Sequence, residues 1–565
     1  MREARRMTIT RSIHGVPVQW ETLPALVAAR AAQHGEAPRL TVAGRAMSYR
    51  ELDGESSRVA ANLHRLGVGR GDRVACFLRN APEHLLTWVA AGKLGAIWVP
   101  LNAGLVGEDL VHTLTNATPA VLVVDGELAE RVEAVADRLP RMRVYTVEDG
   151  EGRGGGRFPP FAELLEPGHP MPTVEVSGGD PAVIIYTGGT TGLPKGALLP
   201  HFAWIAAGMR YVEAFETRPD DVHYSILTLF HVGGLMLGVM GPMVADIPTV
   251  IDRRFSGSNF WARVRETGAT IVDLIGTMIT VLTEQPESPT DRDHRVRVSL
   301  GVTGQIPPAV ADRFVERFGI GFVNVYSLTE TGGVLIVNNR MDSPKPRANG
   351  LTHGWAEVTI LDDDDQPVPP GVTGQIALRP RYPHIFMSGY FNAPERTLEC
   401  LSNLWLHTGD LGHLDADGFL HFTGRQAHWL RRRGENVSAY EVESVLSQCP
   451  GVREVVVVGT PSEKGEEEVK AFVIREPGSG VEPAAIAAWC EGRMAAFKIP
   501  RFIAFVESFP RSVTKREVER HKLRALPNDG IWDREAVPSG PGPVAKGPVA
   551  KGTGVNGPVV NGLAG

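Results

Sequence analysis

Strand-like and helix-like segments alternate between residues 48 and 124, and this alternation restricts the chain to an α/β fold. Ser48 and Glu51 have the spacing of a capping box at a helix start. Apolar runs then predict strands at 73–78, 96–100 and 120–124, with helices at 83–93 and 108–114. Strands that alternate with helices form parallel sheets with helices packed on them. We therefore expect a large N-terminal domain of α/β-layered sheets.

A glycine-rich loop follows an apolar run at 182–186 that predicts a buried strand. Residues 187–196 read Thr-Gly-Gly-Thr-Thr-Gly-Leu-Pro-Lys-Gly. Glycine lets backbone N–H groups approach a ligand closely, and successive N–H groups can form a nest for an anion. The loop also holds three hydroxyl donors and one cation, namely Thr187, Thr190, Thr191 and Lys195. We interpret it as a phosphate cradle; the alternative is an ordinary Gly-rich turn.

This loop differs from the common nucleotide-binding loop G-x-x-x-x-G-K-[ST]. Lys195 follows Pro194 and precedes Gly196, so no hydroxyl residue follows a Gly-Lys pair. The sequence also lacks a G-x-S-x-G nucleophile elbow at a strand-to-helix turn. The loop is therefore of another type, and this motif gives no sign of a serine nucleophile.

Length, charge and cysteine content limit the partners of this 565-residue chain. The length predicts more than one domain, and a net charge of −7 gives no general attraction to nucleic acid or anionic lipid. The four cysteines are Cys76, Cys400, Cys449 and Cys490. They form no C-x-x-C pair, which argues against a zinc site and favours a reducing cytoplasm. We also expect no signal peptide and no transmembrane segment.

The sequence changes character after Arg425. Short segments there predict helices at 441–448 and 483–494 and strands at 454–458, 469–474 and 502–506. Residues 539–565 contain a repeated Pro-Val-Ala-Lys-Gly and cannot bury a core. The predicted organisation is a large domain at 1–425, a hinge at 426–428, a small mobile α+β domain at 429–536 and a disordered low-complexity tail at 537–565.

Together with four later motifs, the loop resembles the signature of the adenylate-forming (AMP-binding) superfamily, which includes acyl-CoA synthetases, peptide synthetase adenylation domains and firefly luciferase. The four motifs are Tyr-Ser-Leu-Thr-Glu-Thr at 326–331, Trp-Leu-His-Thr-Gly-Asp at 405–410, Gly-Arg at 424–425 and Pro-Arg-Ser-Val-Thr-Lys at 510–515. The resemblance covers roughly residues 22–524. The C-terminal part is most similar to the carnitine/crotonobetaine-CoA ligase-like branch, whose substrate is not carried over.

The resemblance implies an AMP-forming acid–thiol ligase that uses ATP, Mg²⁺ and coenzyme A. In that family a carboxylate attacks the α-phosphorus of ATP, giving an acyl-adenylate and pyrophosphate, and a thiol then attacks the adenylate. The implied partners are a small carboxylic acid and either coenzyme A or a carrier-protein thiol. The acid (fatty, aryl or polycyclic) and the oligomeric state, a homodimer included, are left open.

The resemblance also implies roles for individual residues. The nucleotide site would comprise Thr187, Gly188, Gly189, Thr190, Thr191, Lys195, Gly304, Gln305, Tyr326, Ser327, Thr329, Asp410, Arg425 and Lys515. Glu330 would hold Mg²⁺, and Tyr326 would stack on adenine. Asp410 and Arg425 would contact the ribose, and Lys515 would bridge the α-phosphate and the substrate carboxylate. Taken alone, Thr329 with Glu330 also fits a helix N-cap, Asp410 a turn and Lys515 a solvated loop charge.

Two further groups complete the predicted site. The acid pocket would contain His231, Val232, Gly233, Ile275 and Gly276, and the coenzyme A site would contain Arg432, Arg433, Gly434 and Glu435. The pocket stretch at 229–234 has no Asp to pair a substrate ammonium, so its apolar wall favours an acid with an uncharged body. His231 either lines the pocket or is a structural histidine. Arginine matches phosphate well, although a solvated basic turn is the alternative.

Several positions depart from the family pattern. Gly188 replaces a usual Ser, Ser327 a Gly, Gln375 a Glu and Thr514 a Gly. The hinge at 426–428 reads Gln-Ala-His where Lys or Asp is usual. The hinge affects the domain rotation that precedes the thiol step, so one alternative is an adenylation-specialised enzyme that passes the acyl group to a carrier protein or partner enzyme. A second alternative is a catalytically silent nucleotide-binding paralogue.

Overall fold

The computed structural model describes most of the chain. The described residues are 12–13, 16–148, 158–189, 192–301, 308–338, 345, 348–352, 354–425, 429–432, 435–461, 467–511, 518–528 and 530–536. The predicted hinge at 426–428 and tail at 537–565 lie outside them.

Within the described residues, the strands are β1 Ser12–Ile13, β2 Val16–Pro17, β3 Pro38–Val42, β4 Arg45–Ser48, β5 Arg73–Phe77, β6 Ile97–Pro100, β7 Val121–Asp125, β8 Arg143–Val147, β9 Pro181–Gly189, β10 Gly192–Pro200, β11 His223–Ser225, β12 Thr249–Ile251, β13 Ile271–Asp273, β14 Val298–Gly301, β15 Gly321–Leu328, β16 Gly333–Asn338, β17 Ala356–Leu361, β18 Gly374–Pro380, β19 Gly389–Tyr390, β20 Leu406–Leu414, β21 Leu420–Arg425, β22 Trp429–Arg432, β23 Glu435–Ser438, β24 Val452–Pro461, β25 Glu467–Arg475, β26 Phe502–Phe505 and β27 Trp532–Asp533.

The α-helices in the same residues are α1 Leu23–His34, α2 Tyr49–Arg65, α3 Pro82–Leu94, α4 Gly107–Ala117, α5 Ala129–Glu133, α6 His201–Phe215, α7 Gly241–Ala245, α8 Phe260–Thr267, α9 Gly276–Glu284, α10 Pro308–Phe318, α11 Pro394–Cys400, α12 Ala439–Leu446, α13 Pro483–Cys490 and α14 Arg520–Arg524.

The chain forms two compact units. The first contains the described residues of Met1–Thr359, Ala377–Thr408 and Leu414–His421, and the second those of Ile360–Ile376, Gly409–His413 and Phe422–Gly565. The main division therefore falls between 421 and 422. The domain limits at 425, 428 and 536 remain predictions from the sequence.

Helix α2 begins with the predicted capping box. The Ser48 hydroxyl accepts a hydrogen bond from the Glu51 backbone N–H at 3.1 Å, and the Glu51 carboxylate accepts one from the Ser48 N–H at 2.7 Å. The bond from the Ser48 N–H lowers the pKa of Glu51, because it stabilises the charged carboxylate. The helix buries Leu52, Val59 and Leu63 on one face, a spacing typical of an amphipathic helix.

A seven-stranded sheet contains the predicted parallel core and an antiparallel edge. Its order is β19-β10-β9-β6-β5-β7-β8. Strands β5 to β8 pair in parallel, as predicted from the alternation of strands and helices. Strands β10 and β19 add antiparallel pairs at one side. This edge carries the predicted phosphate-binding residues.

An eight-stranded sheet sets the position of the other site segments. Its order is β16-β15-β14-β13-β11-β12-β3-β4. Strands β15, β14, β13 and β11 are parallel neighbours, so their carboxyl ends lie at the same edge. Ligands of open α/β sheets bind beside such an edge. The segments with Glu330, Ile275 and His231 follow β15, β13 and β11.

The apolar stretch at 230–245 lies mainly in the core. It forms a π-helix at Gly234–Met240, in which every residue is buried, and continues as α7. Across the part of the chain that the structure describes, no helix combines the length and apolar character needed to cross a membrane.

The second unit has the predicted α+β composition. A four-stranded sheet has the order β24-β25-β26-β27, and β22 and β23 form an antiparallel pair. Helix α12 starts at Ala439 rather than at 441. Helix α13 ends at Cys490 rather than at 494, because Gly492 has a φ of +72°, outside the right-handed helical region.

A further four-stranded sheet, which is not confined to the second unit, has the order β17-β18-β20-β21.

Candidate active site

The predicted phosphate loop is a β-hairpin. Strands β9 and β10 pair with Thr187 opposite Lys195, and the Thr187 hydroxyl lies 3.4 Å from the Lys195 carbonyl oxygen. The sequence predicts a loop after a single strand, so the assignment of Lys195 to a loop is corrected: it lies on β10. Gly188 and Gly189 end β9, whereas Thr190 and Thr191 lie outside the described residues.

Helix α4 supports this hairpin from one side. The Tyr186 hydroxyl donates to the Asn116 side-chain oxygen at 2.7 Å, and His112 Nε2 lies 3.1 Å from the Pro194 carbonyl oxygen. Burial raises the pKa of Tyr186, so the hydroxyl remains a donor at neutral pH. Hydrogen bonds to α4 thus hold Pro194, which precedes Lys195, and Tyr186, which lies opposite Gly196 on the paired strand.

Glu330 lies on a tight turn at the end of β15. Residues Thr329–Thr331 form a short 3₁₀-helix whose N-cap position is occupied by Leu328, without a side-chain cap. Thr329 is therefore inside the turn and does not cap it. The Thr331 hydroxyl bonds to the carbonyl oxygens of Leu328 (2.9 Å) and Gly333 (2.8 Å). Tyr326 on β15 is buried, at 6% exposed, and Ser327 is exposed.

Tyr390 contacts both the Glu330 carboxylate and the Lys195 side chain. Its hydroxyl donates a 2.7 Å hydrogen bond to Glu330 Oε1, and Lys195 Nζ lies 5.3 Å from the centre of its ring. Burial and the Glu330 charge raise the pKa of Tyr390, which keeps the hydroxyl protonated. Sequence reasoning missed Tyr390, because 60 positions separate it from Glu330 and no local spacing marks it.

The Glu330 carboxylate fits the requirements of a phosphate-bound Mg²⁺. Among the described residues, no group of three or more His, Cys, Asp or Glu side chains could hold a metal ion by itself. Mg²⁺ bound to nucleotide phosphates needs only one or two carboxylates, because phosphate and water oxygens complete its coordination. The hydrogen bond from the Tyr390 hydroxyl occupies Oε1 of Glu330, and no described residue donates to Oε2.

The predicted acid-pocket residues follow neighbouring strands. His231, Val232 and Gly233 come after β11, whereas Ile275 and Gly276 come after β13. Val232 is 2% exposed, while His231 and Ile275 are exposed. The Gly233 N–H donates to His231 Nδ1 at 3.3 Å, which orients the imidazole. Gly304 and Gln305 lie outside the described residues.

Asp410 and Arg425 form a close pair in the second unit. Asp410 lies on β20 and Arg425 ends β21, with Arg425 Nε 3.4 Å from Asp410 Oδ1. The Asp410 side chain is 6% exposed and that of Arg425 is 44% exposed. The pair thus combines a nearly buried hydrogen-bond acceptor with an accessible cation.

Arg432 is placed differently from the prediction of a coenzyme A contact. Its side chain is 1% exposed, and Nε lies 2.6 Å from Glu468 Oε2. Nη1 donates to the carbonyl oxygens of Phe497 (2.7 Å) and Ile499 (3.1 Å). The guanidinium is therefore an interior group of the second unit and not a surface group for phosphate. Arg433, Gly434, the Glu435 side chain and Lys515 lie outside the described residues.

Comparison with known proteins identifies the family. The AMP-binding enzyme family model matches residues 27–391, and the AMP-binding enzyme C-terminal domain matches 441–516. The chain is 31% identical over 482 residues to the crotonobetaine/carnitine–CoA ligase of Salmonella paratyphi A, covering 84% of this chain and 93% of that relative. The same figures hold for the ligase of Salmonella typhimurium.

Solved structures agree with this assignment. The anthranilate CoA ligase AuaEII, in complex with anthranoyl-AMP, has a TM-score of 0.79 and 25% identity, covering 89% of this chain and 96% of its own. ATP-bound MatB from Rhodopseudomonas palustris has a TM-score of 0.77 and 26% identity, covering 88% and 98%. The fold with a large N-terminal and a small C-terminal domain is thus confirmed. The chain belongs to the AMP-binding enzyme family and is an adenylate-forming acyl-CoA ligase that uses ATP and coenzyme A.

Proposed function

We propose that this ligase activates a carboxylic acid with an uncharged body, binding the phosphates of Mg·ATP between Lys195 and Glu330. One observation carries the proposal: both residues contact the same Tyr390 side chain, Glu330 through the hydroxyl and Lys195 over the ring. A cation and a metal-binding carboxylate on two sides of one tyrosine suit a metal–triphosphate complex.

The remaining roles follow the family motifs. Thr187 and Lys195 would bind phosphate, and Tyr326 would stack on adenine. Asp410 would accept hydrogen bonds from the ribose hydroxyls, with Arg425 beside it, since a carboxylate offers acceptors to both hydroxyls of a diol. Lys515 would stabilise the charge that builds up as the carboxylate attacks the α-phosphorus. Mg²⁺, when bound to Glu330, would neutralise phosphate charge.

The first step requires no protein nucleophile. Cys400 lies close enough to Glu330 and Lys195 for their charges to affect it, but burial, reinforced by the Glu330 charge, raises the pKa of its thiol to about 11. The thiol is therefore protonated at neutral pH and a poor nucleophile. The protein contributes orientation and fixed charges, while the substrate carboxylate is the nucleophile.

The charge pattern of the predicted pocket supports an uncharged acid. Residues 226–245 and 274–279 contain no Asp, Glu, Lys or Arg. A cationic substrate group placed against such a wall would lose hydration without gaining a counter-ion. Crotonobetaine and carnitine, which the Salmonella relatives activate by name, carry quaternary ammonium groups. We therefore propose that this chain prefers fatty, aryl or polycyclic acids to such betaines.

A pyrophosphate-release screen tests the proposal. Fatty, aryl, polycyclic and betaine acids are supplied with Mg·ATP, with and without coenzyme A, and the thioester is quantified. We expect acid-dependent pyrophosphate release, thioester formation with coenzyme A, and at least tenfold lower kcat/KM for betaines. Accumulation of adenylate without thioester in excess coenzyme A would instead identify an adenylation-specialised enzyme. Preference for a betaine would overturn the proposed acid class.

We propose a cytoplasmic location, supported by the four cysteines, which form no disulfide in the described structure.

We also propose a homodimer as the arrangement to be tested first, because symmetric dimers are the commonest soluble oligomers. Light scattering across protein concentrations measures the oligomeric state, and a constant monomer mass would exclude the dimer.

A further inference from the structure

Tyr390 links the two sheets that carry the phosphate-binding residues. It lies on β19, which pairs with β10 so that Tyr390 is opposite Ala197. Its hydroxyl reaches across to Glu330, which follows β15 of the other sheet. The Met387 N–H also donates to the Glu330 carbonyl oxygen at 2.8 Å. The segment around Tyr390 thus fixes both the main chain and the side chain of Glu330.

Further hydrogen bonds fix the turn that carries Glu330 and the position of Tyr390. The buried Arg210 donates from Nη2 to the Thr331 carbonyl oxygen at 3.2 Å, and burial lowers its pKa to about 9. The Thr397 hydroxyl accepts a hydrogen bond from the Tyr390 N–H at 2.8 Å and donates to the Ala393 carbonyl oxygen at 3.0 Å. Both Tyr390 and the Glu330 turn are therefore held in place before any ligand binds, which is what a precise binding site requires.

We propose that Tyr390 is a positioning residue that orients Glu330 for the metal ion and Lys195 for phosphate, through two different parts of one side chain. The proposal rests on the function proposed above. The hydroxyl holds Oε1 of Glu330, so that Oε2 would be the oxygen that holds Mg²⁺. The ring face limits the positions of the Lys195 ammonium by a cation–π contact.

The two parts of the side chain can be separated by substitution. Tyr390→Phe removes the hydroxyl and keeps the ring, whereas Tyr390→Leu removes both. A hydrogen bond to a charged group is worth about 1.5–3 kcal/mol, which corresponds to roughly tenfold or more in an equilibrium constant. Loss of the hydroxyl should therefore reduce the increase in ATP affinity that Mg²⁺ causes. Loss of the ring should reduce the ATP affinity measured without Mg²⁺.

Isothermal titration calorimetry of ATP, with and without Mg²⁺ and in the absence of acid, measures both parts. We call the factor by which Mg²⁺ raises the affinity for ATP the Mg²⁺ gain. Tyr390→Phe should bind metal-free ATP with an affinity within about twofold of the wild type, and its Mg²⁺ gain should be roughly tenfold smaller. Tyr390→Leu should also weaken metal-free ATP binding by about two- to fivefold. An unchanged Mg²⁺ gain in Tyr390→Phe would overturn the proposed role of the hydroxyl.

Tyr224 provides a matched control. Its hydroxyl also donates to a carboxylate, Asp252, at 2.9 Å, but it lies on β11, which β13 and β14 separate from β15 in the eight-stranded sheet. Tyr224→Phe should leave the Mg²⁺ gain unchanged even if it lowers the melting temperature. A loss equal to that of Tyr390→Phe would show a general effect on folding and contradict the proposal. Thr397→Val, which loosens Tyr390 without removing it, should give a loss smaller than that of Tyr390→Phe.

A double-mutant cycle separates this inference from the proposed function. In a Glu330→Gln background, Tyr390→Phe should cause no further loss of the Mg²⁺ gain, because Tyr390 acts through the carboxylate. If Glu330→Gln keeps the full gain, the metal-binding role of Glu330 fails, and the inference fails with it. If Glu330→Gln loses the gain but Tyr390→Phe keeps it, only the role of Tyr390 is excluded.

Discussion

Nε of Arg432 lies 2.6 Å from Oε2 of Glu468, and both side chains are at most 2% exposed. This buried ion pair joins β22 to β25 inside the second unit. Removing one partner of such a pair leaves an uncompensated buried charge, which costs far more than the loss of a surface pair.

Glu468→Gln is therefore expected to lower the free energy of unfolding of the second unit by about 3–5 kcal/mol. Urea unfolding followed by tryptophan fluorescence measures the loss, since Trp489 and Trp532 of this unit are among the ten tryptophans of the chain. Glu454→Gln is the control, since it breaks the exposed pair with Arg511 and should cost about 1 kcal/mol or less. Unchanged stability together with a raised KM for coenzyme A would restore Arg432 as a coenzyme A contact.

Lys515→Ala is expected to slow acid-dependent pyrophosphate release by about a hundredfold or more, since it removes a charge needed in the transition state. ATP binding, measured by calorimetry, should change little. Lys522→Ala on α14 is the control, because its exposed side chain pairs only with the neighbouring Glu519 among the described residues. Pyrophosphate release at the full rate in Lys515→Ala would refute the role assigned to this lysine.

Asp410→Ala is expected to remove the discrimination between ATP and its 2′,3′-dideoxy analogue. The wild type should bind ATP at least tenfold more tightly, because the analogue cannot donate the ribose hydroxyl hydrogen bonds to this nearly buried carboxylate. Competition binding measures the ratio for both proteins. Asp417→Asn, at an exposed site, should keep the wild-type ratio. A preserved preference for ATP in Asp410→Ala would remove this residue from the ribose site.

Acid should destabilise the first unit through buried histidine. His201 is 1% exposed, and desolvation lowers its pKa from 6.5 to about 4. The unfolded chain therefore takes up this proton first, so stability falls as the pH decreases from about 6.5 to 4. His201→Leu should reduce that fall by about 3 kcal/mol.

Thermal or urea unfolding at several pH values checks this linkage. The quantity compared is the change in the free energy of unfolding between pH 6.5 and pH 4. An effect of His201→Leu that is the same at every pH cancels in this comparison. Between pH 7 and 8 the two proteins should show parallel curves. Parallel curves at acid pH as well would exclude His201 as a source of the acid sensitivity.

The sequence predicts best where local pattern and final environment agree. The strands between 73 and 125 are almost wholly buried, so continuous apolar runs mark them clearly. The Ser48 capping box is equally local, since its partners are three residues apart. The family motifs likewise identified the reaction and the α/β organisation.

The remaining features depend on distant partners. Strand β10 contains Pro194 and Gly196, which read as loop residues, yet pairing with β9 and β19 makes the segment extended. Tyr390 becomes a site residue only when β19 joins this sheet. Arg432 belongs to a basic run that looks solvated, and Glu468, supplied by another strand, makes its burial possible.

The hairpin formed by β9 and β10 has an electrostatic consequence for nucleotide binding. In a phosphate loop that leads into a helix, the aligned peptide dipoles of that helix present partial positive charge to the anion. Neighbouring antiparallel strands have opposed dipoles that largely cancel, so the described strands of this hairpin offer no comparable field. The charge of the triphosphate must then be balanced mainly by discrete cations, which predicts that ATP affinity depends steeply on ionic strength and on free divalent ion.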